Sequence, residues 1–157
     1  MKVREARAAD CPLLLAWRND DVTRAHAFGS ESISQVEHEV WFSRTMSSPL
    51  RQIWIGEVDG VAVGQVRFDR DADATALIDI AVAPEARGTG VGRRLLKEAM
   101  AAEQRRSAVA VFRAEVVPRN DASRALFAGA GFSVVRSGPD RIVYESSSDT
   151  RVQTTDG

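Results

Sequence analysis

The sequence predicts a single α/β (α+β) domain, and three observations support that prediction. The chain has 157 residues, of which 44% are apolar, so it has the size of one domain and can bury a core. Apolar residues recur with a period of two in some segments and with the helical period in others. These segments alternate and contain no internal repeats. We therefore expect one domain over residues 1–145 and a polar, disordered tail over 146–157.

The first part of the chain predicts a strand and a helix. KVREA is typical of a short strand, and Asp10 can cap a helix that has Pro12 in its first turn. The polar stretch WRNDDVTR is expected to form a bend after this helix. The side chains expected on the buried side of the helix are Leu13, Leu14 and Trp17.

A second helix is predicted by SISQVEHEVWFSRTM. Ser34 can cap it, Glu37 completes a capping box, and the helix should end before Pro49. The apolar face expected for it consists of Val36, Val40 and Trp41.

Strands dominate the middle of the chain. QIWIGEV and VAVGQVRF flank Asp59-Gly60, the dipeptide of a tight hairpin turn. ALIDIAV is almost entirely apolar, which favours a central position in the sheet.

The second half predicts helix, strand, helix and hairpin in that order. A helix should run to about Arg106, followed by the strand AVAVFRAEVV. Asn120 can cap a short helix that ends near Gly131, at a left-handed position. FSVVRS and RIVYES should then pair as a hairpin. The inward residues expected of the longer helix are Val91, Leu95, Leu96, Ala99 and Met100.

Composition excludes several kinds of partner. Lys plus Arg (21) nearly balance Asp plus Glu (22), so no overall field attracts nucleic acid or an acidic membrane. No apolar run approaches the ~20 residues of a membrane span, and MKVREARAAD lacks the apolar region of a signal peptide, so a cytoplasmic protein is expected. Cys11 is the single cysteine, and His26 and His38 are the two histidines, so we expect no disulfide and no metal.

The stretch PEARGTGVGRRLL lies between a predicted strand and a predicted helix, where backbone N–H groups can hold an anion. It is not a Walker A loop, because no Gly-Lys-Ser/Thr follows. It is not a dinucleotide fingerprint either, because Arg93 stands where that pattern has glycine. A flexible turn with solvated arginines is the alternative to an anion site.

Two blocks of sequence resemble the GNAT superfamily of acyl-CoA-dependent N-acetyltransferases. That resemblance implies the GNAT fold, with a central mixed, mostly antiparallel sheet flanked by about four helices. The V-x-P-E and x-R-G-x-G-x-G block is met by Val82, Pro84, Glu85, Arg87, Gly88, Gly90 and Gly92. The N-x-x-S/A-x-x-L-Y/F-x-x-x-G-F block is met by Asn120, Ser123, Leu126, Phe127, Gly131 and Phe132.

The resemblance also implies acetyl-CoA as cosubstrate. The loop amides would receive the pyrophosphate, with Arg87 or Arg93 adding charge-assisted bonds. The strand before the loop carries a bulge in the family, and its amides would pair with the pantetheine and polarise the thioester oxygen. The loop residues implied are Arg87, Gly88, Thr89, Gly90, Val91, Gly92 and Arg93. The strand residues are Ile80, Ala81 and Val82, and those on one face of the short helix are Asn120, Ser123 and Phe127.

Amide formation requires a group that takes a proton from the acceptor ammonium. Glu115 is the first candidate, because EVVPRN matches a glutamate that serves as base in the similar ribosomal-protein alanine acetyltransferases. Asp79, on an apolar strand, is the second, since a carboxylate there is costly unless it is exposed, paired or used. Both also have an ordinary interpretation as charges that face solvent.

The leaving thiolate raises a separate question. Phe127 occupies the position where many relatives carry a tyrosine, and phenylalanine cannot donate a proton. Ser123 or water is then the proton source, or the thiolate leaves unassisted.

The acceptor is less clearly indicated. WRND followed by S-x-x-I-S-x-x-E-H-x-x-W-F resembles acetyltransferases of pseudaminic-acid biosynthesis, which act on a UDP-linked 4-amino sugar. Arg24 and Arg67 would then meet the diphosphate and His38 a phosphate or hydroxyl, although each residue also has a purely structural interpretation. Acetyltransferases for protein N-termini or small amines share the pattern more loosely. A GNAT-fold acyl-CoA-binding module with little turnover is a further alternative, and a homodimer stays open.

Overall fold

The computed structural model describes residues 1–29 and 31–147, and there a single sheet is covered by helices on both faces. This confirms the predicted α/β architecture. The strands are β1 (Lys2–Glu5), β2 (Arg51–Val58), β3 (Val61–Arg70), β4 (Thr75–Val82), β5 (Val111–Val116), β6 (Ser133–Ser137) and β7 (Ile142–Ser147). The helices are α1 (Cys11–Asn19), α2 (Asp21–Ala25), α3 (Gln35–Ser47), α4 (Val91–Arg106) and α5 (Asp121–Gly129), with short 3-10 turns at Ala8–Asp10 and Pro84–Ala86.

The sheet is mixed and mostly antiparallel, as predicted. Its strand order is β1-β2-β3-β4-β5-β7-β6, and within it β4 and β5 pair in parallel. Strand β4 lies in the middle of that order, as its apolar sequence indicated. The turn between β2 and β3 has positive φ at both Asp59 (52°) and Gly60 (78°), which is the backbone of a type I′ hairpin.

The ladder between β3 and β4 differs from one expectation. Its register is uninterrupted from Gly64↔Val82 to Arg70↔Ala76, so the bulge expected in β4 is absent from it. Gly64 explains how closely the layers pack here: a Cβ on Gly64 would lie 2.6 Å from the Ala81 carbonyl oxygen and 2.7 Å from Leu95 Cδ2. The missing side chain therefore lets α4 lie directly on the sheet.

Side chains on the two faces of the sheet form two separate cores, as the two-residue period of a strand requires. Helices α4 and α5 contribute to a core whose members include Val66, Phe68, Ile78, Leu95, Leu96, Ala99, Phe112 and Phe127. Helices α1 and α3 contribute to the other core, which consists of Ala6, Leu14, Trp17, Phe42, Ile53, Ile55 and Ala83.

Asp10 does not cap α1 through its side chain as predicted. Its carboxylate instead accepts hydrogen bonds from Arg4 Nη1 and Nη2 (2.8 and 2.9 Å) and from the Arg7 N–H (2.7 Å). The hydrogen bonds from Arg4 lower the pKa of Asp10, against the effect of burial. Leu13, expected in the core, is 37% exposed, and helix α2 forms where a bend was predicted. The predicted core residues of α1 that are buried are Leu14 and Trp17.

Helix α3 begins as predicted but buries a different face. Ser34 Oγ accepts a hydrogen bond from the Glu37 N–H at 3.2 Å. The predicted apolar face is wrong in part: Val36 and Val40 are 70% and 48% exposed, whereas Trp41 is half-buried and packs against the core. The side chains that α3 buries are His38, Phe42 and Thr45.

The second half of the chain follows the prediction closely. Helix α4 ends at Arg106, and Asn120 Oδ1 caps α5 by accepting from the Ser123 N–H at 3.1 Å. Gly131 has φ of +88°, the left-handed conformation expected after α5. Strand β7 continues to Ser147, and the rest of the predicted tail, 148–157, lies outside the described residues. No helix in the described part of the chain is long and apolar enough to cross a membrane.

Candidate active site

A cleft opens in the sheet where β4 and β5 separate. Their parallel ladder runs only from Thr75↔Val111 to Leu77↔Arg113. Beyond it lies a cleft of about 750 Å³, lined by α1, α2 and α3 on one face of the sheet and by α5 and the start of α4 on the other. The gap therefore joins the two faces of the sheet in one site.

The edge of β4 that borders the cleft carries free backbone groups. The Ala83 N–H donates to the Val63 carbonyl oxygen in β3 (2.8 Å), and successive residues of a strand direct their amides to opposite edges. Ile80 and Val82 therefore direct their N–H groups away from β3, beyond the last described pair with β5. The three residues predicted here, Ile80, Ala81 and Val82, all line the cleft.

The glycine loop forms one end of the cleft. Gly88 and Gly90 have φ of +74° and +78°, and a Cβ on either would have no atom within 4 Å. Gly90 is the N-cap of α4, where no side chain caps the helix and the first turn contains no acidic residue. Free N–H groups at such a terminus suit an anion. The predicted loop residues that line the cleft are Arg87, Gly88, Gly90, Val91 and Gly92.

Arg87 is engaged by helix α2. Its Nη2 lies 2.6 Å from Asp20 Oδ2 and 3.1 Å from Thr23 Oγ1. Asp20 Oδ2 also accepts from the Thr23 N–H at 3.1 Å, so one carboxylate caps α2 and holds the loop. The hydrogen bond from Arg87 lowers the pKa of Asp20. Arg87 thus braces the loop against α2.

Two other predicted loop residues lie outside the lining of the cleft. The Thr89 hydroxyl donates to the Ala86 carbonyl oxygen, which fixes the loop internally. The Arg93 side chain packs against Gly129 of α5. Its Nη2 occupies the space of the missing Gly129 side chain, because a Cβ there would lie only 1.8 Å from Nη2.

Helix α5 places its three predicted residues along the cleft. The Asn120 side chain acts as the N-cap, and Ser123 is half-buried one turn later. Phe127 is 2% exposed and packs against the rings of Phe132 and Tyr144, at centroid distances of 5.2 and 5.9 Å. The structure thus brings Asn120, Ser123 and Phe127 to one wall, and Ser123 carries the hydroxyl.

The two candidate bases stand on the strands that border the gap. Because Leu77 is opposite Arg113, the period of two places Asp79 and Glu115 on the face covered by α1 and α3. Both line the cleft. Asp79 Oδ2 accepts from Gln65 Nε2 at 2.9 Å, and its side chain is 54% exposed. Glu115 Oε1 accepts from Arg141 Nη1 at 3.0 Å.

Of the three predicted acceptor residues, His38 and Arg67 line the cleft, and Arg24 does not. His38 is 2% exposed, and its Nε2–H donates to the Cys11 carbonyl oxygen at 3.1 Å. Burial lowers the pKa of His38, which favours the neutral ring.

Arg67 is held by acidic and aromatic neighbours. Arg67 Nε lies 3.1 Å from Asp69 Oδ1, and Arg67 Nη1 lies 3.9 Å from Asp79 Oδ2. The guanidinium carbon lies 5.1 Å from the centroid of the Trp41 ring, a cation–π distance. Burial opposes its charge, but Asp79 and Asp69 outweigh burial and raise the pKa of Arg67. Arg24 pairs with Asp21 at 3.4 Å.

Arg18 is a cleft residue that the sequence reasoning missed. It lies in the last turn of α1, and its Nη1 is shielded from solvent without a hydrogen-bond partner in the described structure. The sequence offers a weak signal for it: an arginine that directly follows the core residue Trp17 at the end of an amphipathic helix.

The described residues contain no group of three or more His, Cys, Asp or Glu placed to hold a metal ion. The lining of the site combines backbone amides on one side with charged and aromatic side chains on the other.

Comparisons with known proteins agree with this architecture. YncA from Salmonella typhimurium, solved with its cofactor acetyl-CoA, is 23% identical with a TM-score of 0.78, covering 94% of this chain and 93% of its own. Ribosomal-protein-alanine N-acetyltransferase from Brucella melitensis is 24% identical with a TM-score of 0.78, over 94% of this chain and 99% of its own. Spermidine N-acetyltransferase from Vibrio cholerae, solved with CoA and spermine, is 17% identical with a TM-score of 0.80, over 92% of each chain.

No curated protein sequence matches the chain significantly. The profile of the acetyltransferase (GNAT) family matches residues 6–132, which contain both sequence blocks and most of the cleft. This match and the shared GNAT fold identify the chain as a member of the acetyltransferase (GNAT) family, a family of N-acetyltransferase enzymes.

Proposed function

We propose that the protein transfers an acetyl group from acetyl-CoA to the primary amine of a small polar acceptor, with both substrates bound in the cleft. The observation that carries this proposal is the gap between β4 and β5. It combines a free backbone edge, an uncapped helix terminus and two carboxylates in one site.

The donor side fits coenzyme A. The open loop at Gly88 and Gly90 leaves space for the pyrophosphate next to the amides of α4, where the helix dipole favours negative charge. The N–H groups of Ile80 and Val82 can pair with the amides of the pantetheine arm. The relatives from Salmonella typhimurium and Vibrio cholerae, which were solved with acetyl-CoA and with CoA, support this choice of donor.

Acetyl-CoA supplies an acetyl thioester. The acceptor nitrogen forms a bond to the acetyl carbon, the C–S bond breaks, and its electron pair leaves on the sulfur. An N–H of β4 that faces the thioester oxygen stabilises the charge that develops there. We assign this role to the N–H groups of Ile80 and Val82, which point away from β3 and toward the cleft, whereas the Ala81 N–H points to β3.

A base must take one proton from the acceptor ammonium, whose pKa is about 10 for an alkyl amine. Glu115 is our first assignment, because it lies beyond the separation of the strands and Arg141 fixes its carboxylate. Asp79 is the second, since it is half-exposed on the opposite strand and Gln65 orients it.

The leaving thiolate has no tyrosine partner at the position of Phe127. Ser123 is the hydroxyl that α5 presents to the cleft, and we propose that it or a water protonates the sulfur. Because the thiol is moderately acidic, this step contributes less than the deprotonation of the amine.

Several acceptors are compatible with this chemistry. The N-terminal pattern supports a UDP-linked 4-amino sugar, for which His38 and Arg67 are placed in the cleft and Arg24 is not. A protein N-terminus or a small amine is the alternative, in line with relatives described as ribosomal-protein-alanine and spermidine N-acetyltransferases.

The test is release of free thiol from acetyl-CoA by the purified protein. The acceptor panel contains amino sugars and their nucleotide derivatives, amino acids, N-terminal peptides and polyamines. Saturable thiol release with one class supports the proposal and names the acceptor. Tight CoA binding without thiol release across the panel would favour an acyl-CoA-binding module. Absence of CoA binding would refute both.

A further inference from the structure

Arg18 is the cation of the cleft that lacks a partner. Arg18 lines the cleft and lies close enough to the buried His38 to act on its charge. Its Nη1 is shielded from water, and no hydrogen bond or ion pair holds its side chain within the described residues. Arginine stays protonated in proteins, and a buried donor without an acceptor is unfavourable. No protein group therefore neutralises Arg18 within the described residues, and a ligand acceptor meets the part of its side chain that lines the cleft.

The other arginines of the cleft, and Glu115, are paired with protein groups. Arg87 pairs with Asp20, and Glu115 pairs with Arg141. Arg67 is shared between Asp69 and Asp79. His38 beside Arg18 contributes no charge near neutral pH, because burial lowers its pKa. Arg18 thus leaves one positive charge for a ligand.

Asp79 is the complementary feature. It is 54% exposed, and its closest contact is the neutral amide of Gln65 at 2.9 Å, whereas Arg67 is 3.9 Å away. One carboxylate oxygen can therefore meet a ligand ammonium. Arg18 is in the last turn of α1, and Asp79 lies on the face of the sheet that α1 and α3 cover.

A cleft with one available cation and one available carboxylate selects a zwitterion. We propose that the acceptor is an amino acid or a close analogue, whose carboxylate binds Arg18 and whose amine points toward Asp79 and Glu115. A nucleotide diphosphate fits less well, because it carries more negative charge than Arg18 alone can balance. A polyamine also fits less well, because its second ammonium would lie next to the positive charge of Arg18. This inference rests on the proposed acetyl transfer.

The kinetic test compares L-amino acids with the matching amino alcohols, which lack the carboxylate. Amino acids are expected to have the lower KM. Arg18→Gln should raise KM for amino acids about 10- to 100-fold, the value of a charge-assisted bidentate contact, and leave kcat within about 2-fold. KM for amino alcohols should not change. Arg18→Lys should recover part of the loss, because it keeps the charge without the fork.

A binding measurement makes the test independent of turnover. Calorimetric titration of an L-amino acid into the CoA-bound protein should show binding that Arg18→Gln abolishes. Arg136→Gln, an exposed arginine on β6 outside the cleft, is the matched control and should change neither binding nor KM. Unfolding curves of all variants establish that they are folded.

Three outcomes overturn the inference. One is equal KM for amino acids and amino alcohols, and another is preference for a phosphate-bearing amino sugar or a polyamine. The third is an Arg18→Gln variant that affects every amine alike. If no amine releases thiol, the proposed function fails, and the calorimetric result alone decides whether Arg18 binds a carboxylate.

Discussion

The ion pair between Arg87 and Asp20 can be tested by a double-mutant cycle with Asp20→Asn and Arg87→Gln. Asparagine is as good an N-cap as aspartate, so the cap on α2 is retained and the charge pair alone is lost. The Arg87 and Asp20 side chains are 32% and 21% exposed, which places the pair close to solvent. We expect a coupling energy of about 0.5–1 kcal/mol, as for good partly exposed ion pairs.

The ion pair also orients the loop that we assign to the pyrophosphate. If the loss of the ion pair weakens acetyl-CoA binding by the same 0.5–1 kcal/mol, KM for acetyl-CoA should rise about 2- to 5-fold in each single variant. The value of kcat should change little. The double variant should be no worse than either single one. Urea unfolding measures the coupling in stability, and steady-state kinetics measures the coupling in donor binding.

A matched control is the exposed pair of Arg124 and Asp121 on α5, whose atoms are 4.0 Å apart with Asp121 93% exposed. Its coupling should be close to zero. A large rise of KM in Arg87→Gln without any effect of Asp20→Asn would refute the reasoning. Arg87 would then bind the phosphate itself.

Three further predictions concern the base, the packing and the pH dependence. Glu115→Gln should lower kcat/KM about 100-fold or more, whereas an unchanged kcat/KM would transfer the role to Asp79. Gly64→Ala should destabilise the fold by about 1–3 kcal/mol in urea unfolding, because its Cβ would lie 2.6 Å from a backbone oxygen of β4. Gly138→Ala, with its nearest atom at 3.7 Å, should be neutral, and an equal loss in both would contradict the packing argument. Burial lowers the pKa of His38 in the folded protein, so on acidification the imidazole is protonated in the unfolded chain first. The free energy of unfolding should therefore fall from pH 7 to pH 5, by about 1.4 kcal/mol for each unit by which the folded pKa lies below the unfolded one. His38→Asn should flatten this dependence, and an equally steep loss in that variant would assign it to another group.

The glycine loop and the cap of α5, which we assign to the donor side, could be predicted because their signals are local. Glycines at 88, 90 and 92 follow a strand and precede a helix, and the Asn120 cap is read from neighbouring residues. The bulge in β4 came only from the resemblance, and it is absent from the ladder with β3.

Contacts between distant residues could not be predicted from one sequence. Arg87 and Asp20 are 67 residues apart, and nothing in either segment pairs them. On α3 the helical period was right but two of the three predicted core residues were wrong: apolar Val36 and Val40 face solvent, and polar His38 faces the core. His38 can be buried because a carbonyl oxygen of α1 accepts its N–H, and that contact exists only in the folded chain.

Ending the β4–β5 ladder at Leu77 separates two kinds of recognition. The edge of β4 offers main-chain amides, which persist through most changes of side chain. The opposite wall offers side chains of α1 and α3, which a single codon change can replace. Such a cleft keeps its main-chain wall for as long as the fold is kept, whereas its side-chain wall can change one residue at a time.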